Sequence, residues 1–143
     1  MAVSLDAWKA QQTLAHVSTP SGIAERIGRE VSRLRALKGF VAAVVSRRDG
    51  LSIHHTMGTP QEGFLLAAVV AALAGASDSA EAELGRGDLS HAIISYREGT
   101  LVVAGAGPDA IVACLVEPDS NVGYAIMAIQ GVGRNVMRVL EDL

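Results

Sequence analysis

The stretch Phe64-Leu65-Leu66-Ala67-Ala68-Val69-Val70-Ala71-Ala72-Leu73-Ala74-Gly75-Ala76 carries no polar side chain on any face. As helix it would be roughly 20 Å long, short of the ~20 apolar residues that cross a bilayer, so membrane insertion is not expected. Hairpin-like segments flank it, which places it inside a folded domain. A helix that is apolar all round has to be covered all round. In a chain of 143 residues one sheet can cover one side. The other side is then expected to meet a second copy of the chain or a partner, so the sequence reads first as an interaction module.

Composition narrows the classes. The length fits one domain with a proper core, and with 50% hydrophobic but only 3% aromatic residues that core is built from Ala, Val, Leu and Ile. Net charge is −3, and cations gather only at Arg47-Arg48 and within 26–38. Nucleic-acid binding needs a basic face that displaces counterions, so it is not expected. The lone Cys114 excludes an internal disulfide and suits a reducing cytosol. The N-terminus has no charged segment followed by an apolar secretory core, and a cytoplasmic location is expected.

Residues 1–21 read as an extension and 22–143 as the domain, with Ser18-Thr19-Pro20-Ser21-Gly22 as the linker. Ile23, Ile27, Val31 and Leu34 recur at helical spacing, predicting a helix that ends near Leu37 with Gly39 as its C-cap. Phe40 to Ser46 is apolar on both alternating sets. Leu51, Ile53, His55 and Met57 alternate with Ser52, His54 and Thr56, which describes a strand with one solvated face. Asp49-Gly50 between them is a hairpin turn. Thr59, Pro60 and Glu62 open the apolar helix as N-cap, first residue and capping-box acid. That helix runs on to Leu84 and Gly85 unless Ser77-Asp78-Ser79 breaks it. His91 to Tyr96, Thr100 to Ala104 and Ala110 to Val116 are three further strands. Ile126, Ile129, Gly133, Val136 and Leu140 form one stripe of a last helix over 123–141.

Strands apolar on both faces belong in the middle of a sheet, which places the first and fifth there and the second and third at the edges. With hairpins joining 1–2, 3–4 and 4–5, the order is 2-1-5-4-3. The expected fold is a three-layer α/β/α domain on a five-stranded antiparallel sheet. The apolar helix covers one face, and the first and last helices cover the other. The third strand is left as a free edge, a template for pairing with another chain.

This layout resembles the Roadblock (dynein light-chain) family of prokaryotic type. The local matches are Val44-Val45-Ser46-Arg47-Arg48-Asp49-Gly50-Leu51-Ser52-Ile53, Leu84-Gly85-Arg86-Gly87, Gly99-Thr100-Leu101-Val102-Val103 and Asn121-Val122-Gly123, in order across about 22–141. Gly131 and Gly133 depart from it, lying in a helix usually free of glycine, and the N-terminal segment is extra. The resemblance implies a non-enzymatic homodimer that binds small Ras-like GTPases or acts as a scaffold. It also implies a dimer built from the middle helix and third strand. The interface set is then Phe64, Leu65, Ala68, Val69, Ala72, Ala76, Ile93 and Ser95, with Arg86 between two glycines as a partner contact.

Other candidates carry less. His54 and His55 are neighbours on a strand and point to opposite faces, so no metal site is expected from them. A solvated His54 and a half-buried His55 are expected instead. Cys114 sits on a central strand and reads as an inert core thiol. Gly105-Ala106-Gly107 runs into a strand, whereas phosphate cradles open a helix. Gly131 and Gly133 are expected to allow close packing on the sheet. No cofactor and no catalytic group is expected. The alternative is a small-molecule-sensing module with a pocket against the sheet near His55 or Tyr96. For the apolar helix, the alternative to an interface is a cap formed by Trp8 and Leu14 folding over it.

A charge at Ala68 or Ala72 tests the covered-helix reading. Burying it unpaired costs several kcal/mol. Ala68→Arg or Ala72→Glu is therefore expected to split the dimer or block soluble expression, read as molar mass by light scattering.

Overall fold

The structure, a computed structural model, describes residues 21–142. Residues 1–20 of the extension, with Trp8 and Leu14, lie outside them, while Ser21 and Gly22, expected as linker, already belong to the first helix. Helix α1 spans Ser21–Ser32 and tightens into a 3-10 turn at Arg33–Ala36. Ile27, Val31 and Leu34 from its apolar stripe are fully buried. The helical run ends at Ala36, near the expected Leu37, but the expected C-cap is corrected: Leu37, already extended (ψ 130°), caps it and not Gly39. Gly39, at φ 81°, makes the turn into the first strand, where its carbonyl accepts a hydrogen bond from the Glu117 amide (2.8 Å).

Strands β1 (Phe40–Arg47) and β2 (Ser52–His55) are joined by Asp49-Gly50. Gly50 has φ 96°, and Asp49 ties the turn by accepting from the Leu51 amide (3.2 Å). The expectation of a solvated face on β2 is also corrected. Ser52 and Ile53 are buried and both histidines are half-buried. The physical reason is that helices overhang this edge strand on both sides, each through a glycine. A Cβ at Gly28 of α1 would touch His54 Cε1 (3.3 Å), and one at Gly63 of the next helix would fall onto the His55 ring.

Helix α2 spans Pro60–Leu84. Thr59 Oγ1 accepts from the Glu62 amide (3.2 Å), and Gly85 closes the C-terminus at φ 61°. Ser77-Asp78-Ser79 does not interrupt it, and Asp78 pairs with Arg48 (2.9 Å). At 25 residues the helix is, by length and composition alone, long and apolar enough to cross a membrane. Its ridge of Gly63, Ala67, Val70, Ala71 and Ala74 is nevertheless buried within its own chain, and the Ala67 carbonyl accepts from Ser46 Oγ of β1 (3.2 Å).

Strands β3 (His91–Tyr96), β4 (Gly99–Gly105) and β5 (Ala110–Val116) lead to helix α3 (Val122–Glu141), whose first turn is capped by Asn121 Oδ1 accepting from the Tyr124 amide (3.0 Å). The sheet is antiparallel with order β2-β1-β5-β4-β3. Val45, Val102, Val112 and Cys114 point into a core beneath α1 and α3. Val44, Val103, Ile111 and Ala113 point into a second core beneath α2.

The two α3 glycines have different causes. A Cβ at Gly133 would lie 2.6 Å from the Gly105 carbonyl oxygen, so close packing on β4 requires glycine there. Gly131 meets only the end of Arg134 at 3.8 Å, which corrects the packing explanation for it. Gly133→Ala should therefore lower stability by about 1–3 kcal/mol, because backbone must shift. Gly131→Ala should raise it by up to ~1 kcal/mol through helix propensity alone. Urea unfolding of the two variants checks both signs.

Candidate interaction surface

Because α2 has no polar stripe, packing alone decides which of its faces is inside. The small-residue ridge faces the sheet, which leaves Leu65, Val69, Ala72 and Ala76 on the outer side at alternating steps of four and three residues. Leu65 and Val69 are 53% and 50% exposed, and Ala72 and Ala76 are exposed as well. On the flank toward β3, Leu66 and Leu73 are half-buried and share a core with Ala92 and Ile94 of that strand. On the opposite flank, Phe64 stands edge-on to His55 (6.4 Å between ring centroids), and Ala68 lies over Gly50.

The residues singled out in the sequence thus divide. Leu65, Val69, Ala72 and Ala76 form one outward stripe, whereas Phe64 and Ala68 turn to the chain's own β1–β2 hairpin. Ala68→Arg consequently reads out folding as much as assembly, and Ala72→Glu is the cleaner probe. Ile93 and Ser95 are exposed, but alternation puts them on the sheet face away from α2. Arg86 is exposed between Gly85 and Gly87, both at positive φ, and its amide donates to Glu81 Oε2 (2.8 Å). Sequence reasoning missed Leu66, Leu73, Ala92 and Ile94, and also Leu84, which is 68% exposed. The seven-residue step from Leu66 to Leu73 marks the flank, though a helix apolar all round gives no wheel on which to orient it. β3 ends the sheet, and among the described residues no strand lies along its outer side.

An α-β-β-α-β-β-β-α chain with this sheet order and an outward apolar helix beside a free edge can be set against known proteins. Residues 26–116 match the family model of the Roadblock/LC7 domain. The chain belongs to the Roadblock/LC7 family. Among solved structures it is similar to a Roadblock/LC7 domain from Streptomyces avermitilis (21% identity, TM-score 0.74, 79% of this chain and 96% of that one). It is also similar to the gliding protein MglB from Thermus thermophilus (18%, TM-score 0.76, 87% and 95%). Myxococcus xanthus MglB is a third (13%, TM-score 0.75, 83% and 90%). These similarities speak to the fold. A search of curated protein sequences finds no match.

The remaining candidate groups of this Roadblock/LC7 domain form no chemical site. Among the described residues no cluster of His, Cys, Asp and Glu could hold a metal ion. Gly105-Ala106-Gly107 forms a hairpin turn, with the Ala106 amide donating to the Ala110 carbonyl (2.9 Å). His55 is packed beneath Gly63 and against Phe64, and Tyr96 is 56% exposed at the end of β3. A concavity of about 440 Å³ lies elsewhere, between the 3-10 turn and the start of α3.

Cys114 is fully buried, and desolvation pushes its thiol up to about 12. At neutral pH it is a thiol and not a nucleophile. It should resist alkylation by iodoacetamide at pH 8 in the native protein and react when denaturant is added, as mass spectrometry would show.

Proposed function

We propose that this domain is a non-enzymatic regulator or scaffold that works as a homodimer in the cytoplasm and binds a small Ras-like GTPase or a complex containing one. The observation that carries the reading is the outward apolar stripe of α2 running beside the free edge of β3. Antiparallel pairing of two β3 strands has a two-fold axis perpendicular to the sheet. That operation joins two sheets into one and sets the two α2 helices side by side on the same face. The half-exposed Leu65, Val69, Leu66 and Leu73 of each copy would then be covered. Full burial of a Leu or Val is worth roughly 1.5–3 kcal/mol, and the contacts, doubled by symmetry, offset the entropic cost of association.

Family resemblance supports the GTPase part, since Roadblock-type domains are in general regulators without a reaction of their own. Acceleration of GTP hydrolysis would work by ordering the GTPase's own catalytic residues. Arg86, exposed just beyond the C-cap of α2, would be a contact for such a partner.

Light scattering should give twice the mass of the 14.8 kDa chain for the wild type. Ala72→Glu should give the single-chain mass with unchanged circular dichroism, because Ala72 is exposed in one subunit. A small Ras-like GTPase carrying a non-hydrolysable GTP analogue should be retained by the wild type and lost with Ala72→Glu. A monomeric wild type would overturn the reading.

A further inference from the structure

The sheet face away from α2 has a different chemistry. α1 and α3 pack antiparallel there, with Arg26 paired to Asp142 (2.9 Å) and Glu30 to Asn135 (2.9 Å). Two concavities run end to end along the crevice between them, sharing Arg33. One, of about 440 Å³, has an apolar floor of Leu37, Val116, Ala125 and Ala128. The other, of about 330 Å³, is lined by Arg26, Arg29, Arg33 and Arg138. Among the described residues the only carboxylate in either lining, Glu30, is already engaged: Asn135 Nδ2 donates to it and Arg33 Nε lies at 3.4 Å. Arg29 makes no ion pair among the described residues. Lys38 lines the apolar pocket, and Arg35 lies over the Phe40 ring (5.8 Å). The segment 26–38 holds five cations against Glu30 alone, in a chain of net charge −3.

We propose that this crevice binds an acidic peptide segment of a partner protein, with one large apolar side chain in the pocket and carboxylates along the arginines. Charge decides the occupant. Guanidinium forks on two facing helices suit successive carboxylates, and the pocket beside them has room for an anchoring side chain. The chain's own residues 1–20 do not fit, having only Asp6 as an acid, offset by Lys9. The crevice does not depend on the dimer. If two copies join through β3, both crevices lie on the same side of the shared sheet, opposite the α2 pair.

The test is selection of a displayed random-peptide library on the full chain. Winning peptides should combine clustered Asp or Glu with one large apolar residue, and their binding should weaken as salt rises. Two variants should each reduce it by about tenfold or more: Arg33→Glu, whose side chain is 69% exposed, and Ala36→Trp, which fills the pocket from its exposed rim. Ala72→Glu should leave peptide binding intact, so loss of the dimer and loss of the crevice are separate readouts. Winners without acidic residues, or winners held equally by Arg33→Glu, would overturn the proposal. So would Arg33-dependent sedimentation with phosphatidylserine vesicles in the absence of acidic winners.

Discussion

The close seat of α2 on the sheet is the constraint on which the rest of this domain depends. Gly63, Ala67, Ala71 and Ala74 bring helix backbone down to the strands, closely enough for Ser46 Oγ of β1 to donate to the Ala67 carbonyl. A bulkier ridge would hold the helix off and open a gap above Val44, Ile111 and Ala113. The same approach traps the His55 ring beneath Gly63, so the short edge strand β2 is fastened to α2 as well as to β1. Small residues on the inner ridge leave the larger Leu65 and Val69 on the outer side, and the outward apolar stripe is thus a by-product of how the core closes.

The two faces of the sheet do different work. Beneath α1 and α3 the core is sealed within the chain, and the crevice between those helices is lined by Arg26, Arg29, Arg33 and Arg138. Beneath α2 the core is sealed too, but the helix above it remains apolar outward. An apolar stripe beside a free strand edge combines the two strongest general drives to association, hydrophobic burial and completion of a backbone ladder. A crevice with apolar floor and guanidinium walls favours instead a partner chosen by charge. The domain thus presents chemically different surfaces on the two opposed sides of its sheet.

Most of the fold is legible in the residues because local rules agree with the tertiary answer. Thr59-Pro60, Asp49-Gly50 and Asn121 mark element starts through chemistry confined to a few bonds. The sheet order follows from which strands are apolar on both alternating sets. Where sequence and structure part, long-range packing decided. β2 alternates like a half-solvated strand, yet α1 and α2, the helices before and after the β1–β2 hairpin, overhang both its sides. Gly131 and Gly133 look equivalent two positions apart, and only their rotation about the α3 axis shows that one touches the Gly105 carbonyl.

The sequence by itself determined that the helix opened by Pro60 is apolar on every side over 64–76, that five strands pair in one order, and that Cys114 is buried. Those properties depend on side-chain type and local spacing. Only the tertiary structure decided which arc of that helix faces inward, because a uniformly apolar surface has no polar side to set its rotation. It also decided that Phe64 and Ala68 turn to the chain's own hairpin, and that arginines from α1 and α3, more than a hundred residues apart, line one crevice. Such juxtapositions follow from packing distant segments on one sheet, which no local pattern encodes.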